Sequence, residues 1–546
     1  MIREERDPIP LTTLEAGQAR EALRASWRAA GWYQDLTVGE AIAAGARQHP
    51  DDELIFVRHG GGATAVRLAT LHERALDVAG RLYRAGVRPG EVVVLQAAVG
   101  PASTEAAVAV WALGAVPVLL TAAATPGELA HVLAETGART VVTARRWRGT
   151  EVASSIAGQR QALGLDRLIV LGEDAPHGAL ALDALPAGPR AEPARPAPAS
   201  VAVLLYTSGS TAAPKGVQHS HESLLFGLTA AAPAGDATRS LMTFPAGHIA
   251  SLLAVLRPLV AGGLTVMMDS WSPAAAAELI ETYQITASAG TPFFLTTLLD
   301  QAERSGRDIS TLQRFLVGAA AVPPGLVARA EAAGITAWRT YGSTEHPAIS
   351  SGGPDDPPGK RRLTDGRVAP GNEVRLVDES GADVTPGAEG EIVARGPRQF
   401  VGYRDPALNA DAYLDGTWFR TGDLARFDPD GYLVVTDRVK DIIIRGGENI
   451  SAREVEEALA GAAGIREIAI CAAPDQTWGE IVCAVVVPGE EVPTLESLRE
   501  RGTAAGLARH KLPARLLTVD SLPRTAAGKV RKADLRHLLA RPADGG

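Results

Sequence analysis

VAVLLYTSGSTAAPKG, residues 201–216, is the segment that decides the fold class. VAVLLY is a short aliphatic run rich in β-branched residues, as expected of a strand buried on both faces. It empties into a loop of small and hydroxylated residues, and a helix is expected to begin near Ser220. At the end of a buried strand such a loop lets backbone N–H groups converge on an anion. Thr207, Ser208, Ser210 and Thr211 add hydroxyl donors, Gly209 leaves room for phosphate oxygens, and Lys215 adds a mobile positive charge. The P-loop NTPase pattern requires Gly-Lys-Ser/Thr. Here Pro214 precedes Lys215 and Gly216 follows it, so that reading fails. Alone, the loop would equally describe a solvated turn; its neighbours along the chain separate the two.

Upstream, EVVVLQ (91–96), AVPVLL (115–120), TVVTA (140–144) and RLIVLG (167–172) are further apolar runs alternating with helical patterns. One such pattern is TPGELAHVLAETG (125–137), with Thr125 as N-cap, Pro126 at the first helical position, Glu128 completing a capping box and Gly137 as the stop. Alternation of this kind predicts a mostly parallel sheet covered on both faces. Residues 106–127 carry no charge, but Gly114 and Pro117 interrupt them. They are read as a buried helix (about 102–112) and a buried strand (about 116–120), not a membrane span. Pro186, Pro189, Pro193, Pro196 and Pro198 mark a stiff exposed connector between two subdomains. A second alternating stretch runs from 201 to about 345. After 365 the pattern turns β-rich, and from about 441 a compact α+β unit begins.

The composition narrows the function classes. The chain has 546 residues, enough for several globular units. Its net charge of −9 lacks the bulk attraction for polyanions of a nucleic-acid binder. Cys471 and Cys483 are the only cysteines, which excludes a disulfide framework and a cysteine-rich zinc site and fits a reducing, cytoplasmic compartment. The N-terminal MIREERDPIP has no apolar core, so no secretory signal is expected there. No G-x-S-x-G elbow occurs, which removes the serine-hydrolase reading.

Further elements follow the loop in fixed order: YGSTE (341–345), GEIVARGPRQFVGY (390–403), WFRTGDLARFDPDGYLVVTDRVKDIIIRGGENISAREVEEAL (418–459) and PRTAAGKVRK (523–532). With them the chain resembles the adenylate-forming (AMP-binding) superfamily of acyl- and aryl-CoA synthetases, peptide-synthetase adenylation domains and beetle luciferases, from about residue 35 to 537. Within it the chain is most similar to bacterial medium-chain, alicyclic or aryl acid CoA ligases. The resemblance implies an α/β fold: a large N-terminal domain of stacked α/β sheets plus a small β-barrel-like subdomain (1–437), a hinge (438–440), and a small mobile α+β C-terminal domain (441–546). One departure is Ala212, where the phosphate loop of the family usually carries Gly.

The implied reaction has two steps. A carboxylate attacks the α-phosphate of MgATP to give an acyl-adenylate and pyrophosphate; a thiol, that of coenzyme A, then takes the acyl group and AMP leaves. Both reactants of the first step are anions, so the protein must supply positive charge. By family match Lys529 bridges the carboxylate and the α-phosphate, and Thr344 donates to that phosphate. Glu345 is the expected Mg2+ ligand. Tyr341 is expected to stack on adenine beside Gly342 and Ser343, with Gly318, Ala319 and Ala320 lining the other face of the nucleotide. Asp423 is expected at the ribose, with Arg438 as the second ribose or phosphate contact. Lys440 is the expected hinge; rotation about it would bring the Gly446–Gly447 loop to the pantetheine arm of coenzyme A.

His248, in FPAGHIAS, is expected to gate the acid and the thiol route, with SAGTPFF (288–294) as further wall. The absence of a carboxylate beside His248 disfavours an amino acid, because its buried ammonium would be unpaired. An apolar acid is favoured. The expected partners are therefore that acid, ATP and coenzyme A, with no nucleic acid and no membrane span; a homodimer is a further candidate. The alternative reading keeps adenylation and sends the acyl group to a carrier-protein thiol or an amine. No carrier-type serine motif follows Lys529, so no fused carrier is expected.

Overall fold

The computed structural model describes residues 13–188, 194–207, 214–229, 239–525 and 527–540. Four sheets organise them: one of nine strands, one of eight, and two of five. The first two are mostly parallel and carry the helices, as the alternating pattern predicts. The expected capping box forms at Thr125 and Glu128, and Gly137 ends that helix in the left-handed region. The uncharged stretch resolves into helix Pro101–Ala112 and strand Val116–Leu120. Among the described residues no helix is long and apolar enough to cross a membrane.

Two expectations are corrected. The proline-rich connector does not separate two self-contained halves. Strand Val201–Thr207, which follows it, pairs in parallel with Val116–Leu120 and so completes the sheet of the first half. The Trp111 indole N–H secures the same junction by donating to the Ala202 carbonyl at 2.8 Å. Conversely, strand Glu53–Val57 from the first half pairs with Thr265–Met268 in the second sheet. The two α/β layers are interleaved and share one buried apolar cluster, in which Leu54, Val203, Leu224 and Leu256 meet.

The second correction concerns only the exit of the phosphate loop, since the helix expected near Ser220 does begin at His221. That exit runs as strand Lys215–Ser220, antiparallel to Val201–Thr207, before helix His221–Thr229 begins. Thr207 faces Lys215 at the end of this antiparallel pair. Strand Gly402–Tyr403 then adds to the outer side of Lys215–Ser220.

Four neighbouring parallel strands of the nine-stranded sheet, Ser240–Met242, Ala287–Gly290, Arg314–Val317 and Thr336–Tyr341, end at one edge. Their carboxyl ends deliver His248, Phe293, Gly318 and Glu345 to that edge, where α/β sheets bind ligands. The antiparallel sheet from Glu373 to Arg438 supplies the side wall. The last five-stranded sheet, with helices Ala452–Leu459 and Lys532–Ala540, forms the small C-terminal unit.

Candidate active site

Asp423 and Arg438 lie opposite each other on two paired strands, so their side chains leave the same face. Arg438 Nε donates to Asp423 Oδ1 at 2.6 Å, and the Tyr341 hydroxyl donates to Oδ2 at 2.7 Å. The carboxylate raises the Arg438 pKa, and burial together with the same carboxylate pushes the Tyr341 phenol well above its usual range. Asp423 keeps further lone pairs on both oxygens, as an acceptor for vicinal hydroxyls requires.

Lys529 faces this group. Its turn is closed by bonds from Thr525 N to Lys529 O (2.8 Å) and from Lys529 N to Thr525 Oγ1 (3.2 Å). The turn lies on the Phe293 ring, which also receives the Arg524 guanidinium at 5.3 Å. Lys529 therefore stands in a crevice: water reaches its side chain, yet protein surrounds it. That burial, reinforced by the nearby Arg438 cation, pulls its pKa down to about 8.

His248 caps helix Ile249–Ala261; its Nδ1 accepts from Ala250 N at 3.1 Å, which leaves the proton on Nε2. Its ring stacks on Phe244 with centroids 5.0 Å apart. Burial and then the Lys529 charge hold its pKa at about 4, so it is neutral near pH 7. Phe244 in turn meets Phe294, whose ring also contacts Trp271 and Phe293, so the wall extending from His248 is aromatic.

A second group assembles at the phosphate side. Glu345 Oε1 accepts from the Tyr403 hydroxyl at 2.7 Å, and Lys215 Nζ lies 4.9 Å from the centroid of the Tyr403 ring. The loop beneath is fixed by buried His219, whose Nε2 donates to the Thr344 carbonyl at 2.7 Å. Desolvation holds the pKa of His219 at about 4. Ser343 Oγ accepts from His346 N at 3.2 Å. Among the described residues no three His, Cys, Asp or Glu side chains gather to hold a metal ion. The single carboxylate of Glu345 fits a magnesium ion that takes its other oxygens from phosphate and water.

Gly318 lies tight against the neighbouring strand. A Cβ there would lie 2.7 Å from Thr340 Cγ2, so what the glycine permits is close packing of the neighbouring strand. Ala319 next to it has φ +63, a conformation unusual for a side-chain-bearing residue, and Ala320 follows in the turn to helix Pro324–Ala332. Gly342 likewise packs against Ala348. Gly446 and Gly447 turn the hairpin of the small unit with φ +59 and +91. The Gly446 N–H donates to the Trp478 carbonyl at 2.8 Å, and the Trp478 ring lies against its Cα. Lys440 is exposed in the short turn Val439–Asp441. Ser208, Gly209, Ser210, Thr211 and the departure at Ala212 lie outside the described residues.

The structure thus brings Lys529, Asp423, Arg438, Tyr341 and His248 to one centre, and Lys215 and Glu345 to another. Gly446 packs on Trp478, while a Cβ at Gly447 would meet open space. Tyr403 and His219 escaped the reading of the sequence. Tyr403 lies in the quoted stretch 390–403, but only the fold brings its hydroxyl to Glu345.

The model for AMP-binding enzymes matches residues 42–404, and the model for their C-terminal domain matches residues 454–529. The chain belongs to the AMP-binding enzyme family. It is 31% identical to a medium-chain fatty-acid–CoA ligase of Escherichia coli (strain K12), over 95% of this chain and 94% of that one. It is 34% identical to a feruloyl-CoA synthase of Amycolatopsis, over 88% of this chain and 95% of that one. Among solved structures, the amide bond synthetase McbA of Marinactinospora thermotolerans superposes with a TM-score of 0.77, at 29% identity, covering 92% of this chain and all of that one (100%). As a family member the chain is an adenylate-forming enzyme of the acyl-CoA ligase type, and its relatives differ in acid and in acceptor.

Proposed function

We propose that this chain activates an apolar carboxylic acid with ATP, releases pyrophosphate, and transfers the acyl group from the acyl-adenylate to coenzyme A. The observation that carries the reading is Lys529: a cation held in a crevice beside Asp423, Arg438 and His248, on a turn resting against Phe293. Two anions meet in the first step, and a compact ammonium between them offsets the charge that builds up at phosphorus. Asp423 and Arg438 receive the ribose, and Lys215 neutralises phosphate. Glu345 would hold magnesium, whose charge on the phosphates adds to that of the lysine. Neutral His248 orients rather than titrates, and the aromatic wall around it keeps water from the mixed anhydride.

The same wall supports the choice of acid. Residues 244–250 contribute Phe244 and His248 and no carboxylate, so an amino group would enter unpaired. After adenylation the unit from 441 to 546 turns about 438–440, withdrawing Lys529 and presenting Gly446–Gly447 to the thiol. Transfer to an amine or a carrier thiol is the second reading, supported by the likeness to an amide bond synthetase.

The test is pyrophosphate release over a panel of aliphatic, alicyclic and aromatic acids, each with and without coenzyme A. Acid-dependent release that coenzyme A accelerates, with a thioester as product, is expected. Turnover indifferent to coenzyme A favours the second reading, and release only with amino acids overturns the pocket argument.

A further inference from the structure

We infer that Tyr403 is a positioning residue that couples the magnesium ligand to the phosphate-binding lysine; this rests on the adenylation reading above. Tyr403 is buried at the end of the short strand Gly402–Tyr403, which pairs with the strand that carries Lys215. Its hydroxyl donates to Glu345 Oε1 at 2.7 Å, while its ring face lies under Lys215 Nζ at 4.9 Å. The backbone doubles the link, because Phe400 N donates to the Glu345 carbonyl at 2.7 Å. The ring itself is held edge-on by Phe400, with centroids 5.0 Å apart. Three segments far apart in sequence, at 215, 345 and 403, therefore meet on one side chain.

The consequence is chemical. A carboxylate that accepts a phenol on one oxygen is fixed in rotation and presents its other oxygen in one direction. Partners of this kind orient a metal ligand, and their loss typically weakens metal affinity about 10- to 100-fold. The π face meanwhile attracts the Lys215 ammonium. It keeps that cation on the phosphate side of the carboxylate, so Glu345 and Lys215 do not collapse into a direct ion pair.

Nucleotide binding, read by calorimetry without turnover, tests the assignment. ATP affinity is measured in magnesium and in EDTA, with AMP as a metal-independent reference. Tyr403→Phe keeps the ring and deletes the hydroxyl. It is expected to reduce the magnesium-dependent gain in ATP affinity about 10-fold and to leave AMP affinity unchanged. The same substitution in a Glu345→Gln background is expected to have no further effect, because the hydroxyl acts through that carboxylate. A magnesium-dependent gain unchanged in Tyr403→Phe overturns the assignment, as does an undiminished effect in the Glu345→Gln background. AMP binding by each variant shows that its nucleotide site is intact. Should Tyr403→Phe lose AMP binding, Mn2+ bound to the wild-type and Glu345→Gln enzymes with ATP, read by electron paramagnetic resonance, decides. Identical Mn2+ affinity there removes Glu345 as the ligand and the role of Tyr403 with it. A wild-type enzyme that binds ATP equally with and without magnesium contradicts the adenylation reading instead.

Discussion

At the scale of the residue, the role proposed for Lys529 also implies a limit on the pH range of the reaction. The ammonium is the useful form, and its pKa of about 8 in the free protein means that it is lost as pH rises through that value. The kcat/KM for acyl-adenylate formation, which reports the free enzyme, is therefore expected to fall on the alkaline side with a midpoint near pH 8. Lys529→Arg stays protonated, so its lower activity should show no such limb below about pH 10. An alkaline limb that is the same in both enzymes would assign it to another group. Lys529→Ala should lower adenylation about 10²- to 10³-fold, the order of one lost charge-stabilising donor. Supplied acyl-adenylate should still be converted to thioester by that variant; equal damage to both half-reactions contradicts the scheme. Much of this centre was legible because Lys529, Asp423 and Arg438 lie in motifs that are contiguous in sequence. Tyr403 was not, since its meaning lies in a hydroxyl that reaches 58 residues back to Glu345.

At the scale of the element, the small unit is tied to the large one by the first turn of helix Ala452–Leu459. Ser451 caps that helix, and its hydroxyl also donates to Asp437 Oδ2. Arg453 N reaches the same oxygen at 3.3 Å, and the Arg453 guanidinium donates to the Val435 carbonyl at 2.6 Å. These bonds straddle Lys440, so the proposed rotation about that position would have to break them. Asp437→Asn keeps the shape but removes the charge from bonds each worth about 1.5–3 kcal/mol. Adenylation is expected to slow about 10-fold, with thioester formation from supplied acyl-adenylate unchanged or faster. Parallel loss in both half-reactions would show that Asp437 only supports the fold. No sequence pattern marked this tie, because Asp437 and Ser451 read as a strand end and a helix cap. The strand after the phosphate loop stayed hidden for a related reason. KGVQHS, 215–220, has little apolar periodicity and is a strand because Val201–Thr207 and Gly402–Tyr403 flank it.

At the scale of the whole molecule, alternation of apolar runs and helical patterns gave the parallel layers. It could not say which strands share a sheet, because a strand's periodicity names its faces and not its partner. Glu53–Val57 joins a strand more than two hundred residues away, and the interleaved halves follow from such pairings. What holds the small unit over the site is equally non-local: Gly528 approaches Phe293 so closely that a Cβ built on the glycine lies 3.1 Å from Phe293 Cβ. Disulfides need Cβ atoms about 3.5–4.5 Å apart, so a slight opening would let a cysteine pair at 293 and 528 close. The background is quiet, since burial pushes the Cys471 and Cys483 thiols up to about 12 and about 11 and keeps them protonated. If one site serves both half-reactions by rotation of the small unit, oxidised Phe293→Cys/Gly528→Cys should be confined to the arrangement described here. It should form acyl-adenylate in at most one turnover and transfer none of it to coenzyme A, and dithiothreitol should restore transfer. Gly528 has φ +79, so Gly528→Cys alone, under oxidising and reducing conditions, separates backbone strain from the cross-link. Thioester formation by the oxidised double variant at the rate of its reduced form would mean that the acyl group leaves without rotation, and that Gly446 and Gly447 never meet the thiol.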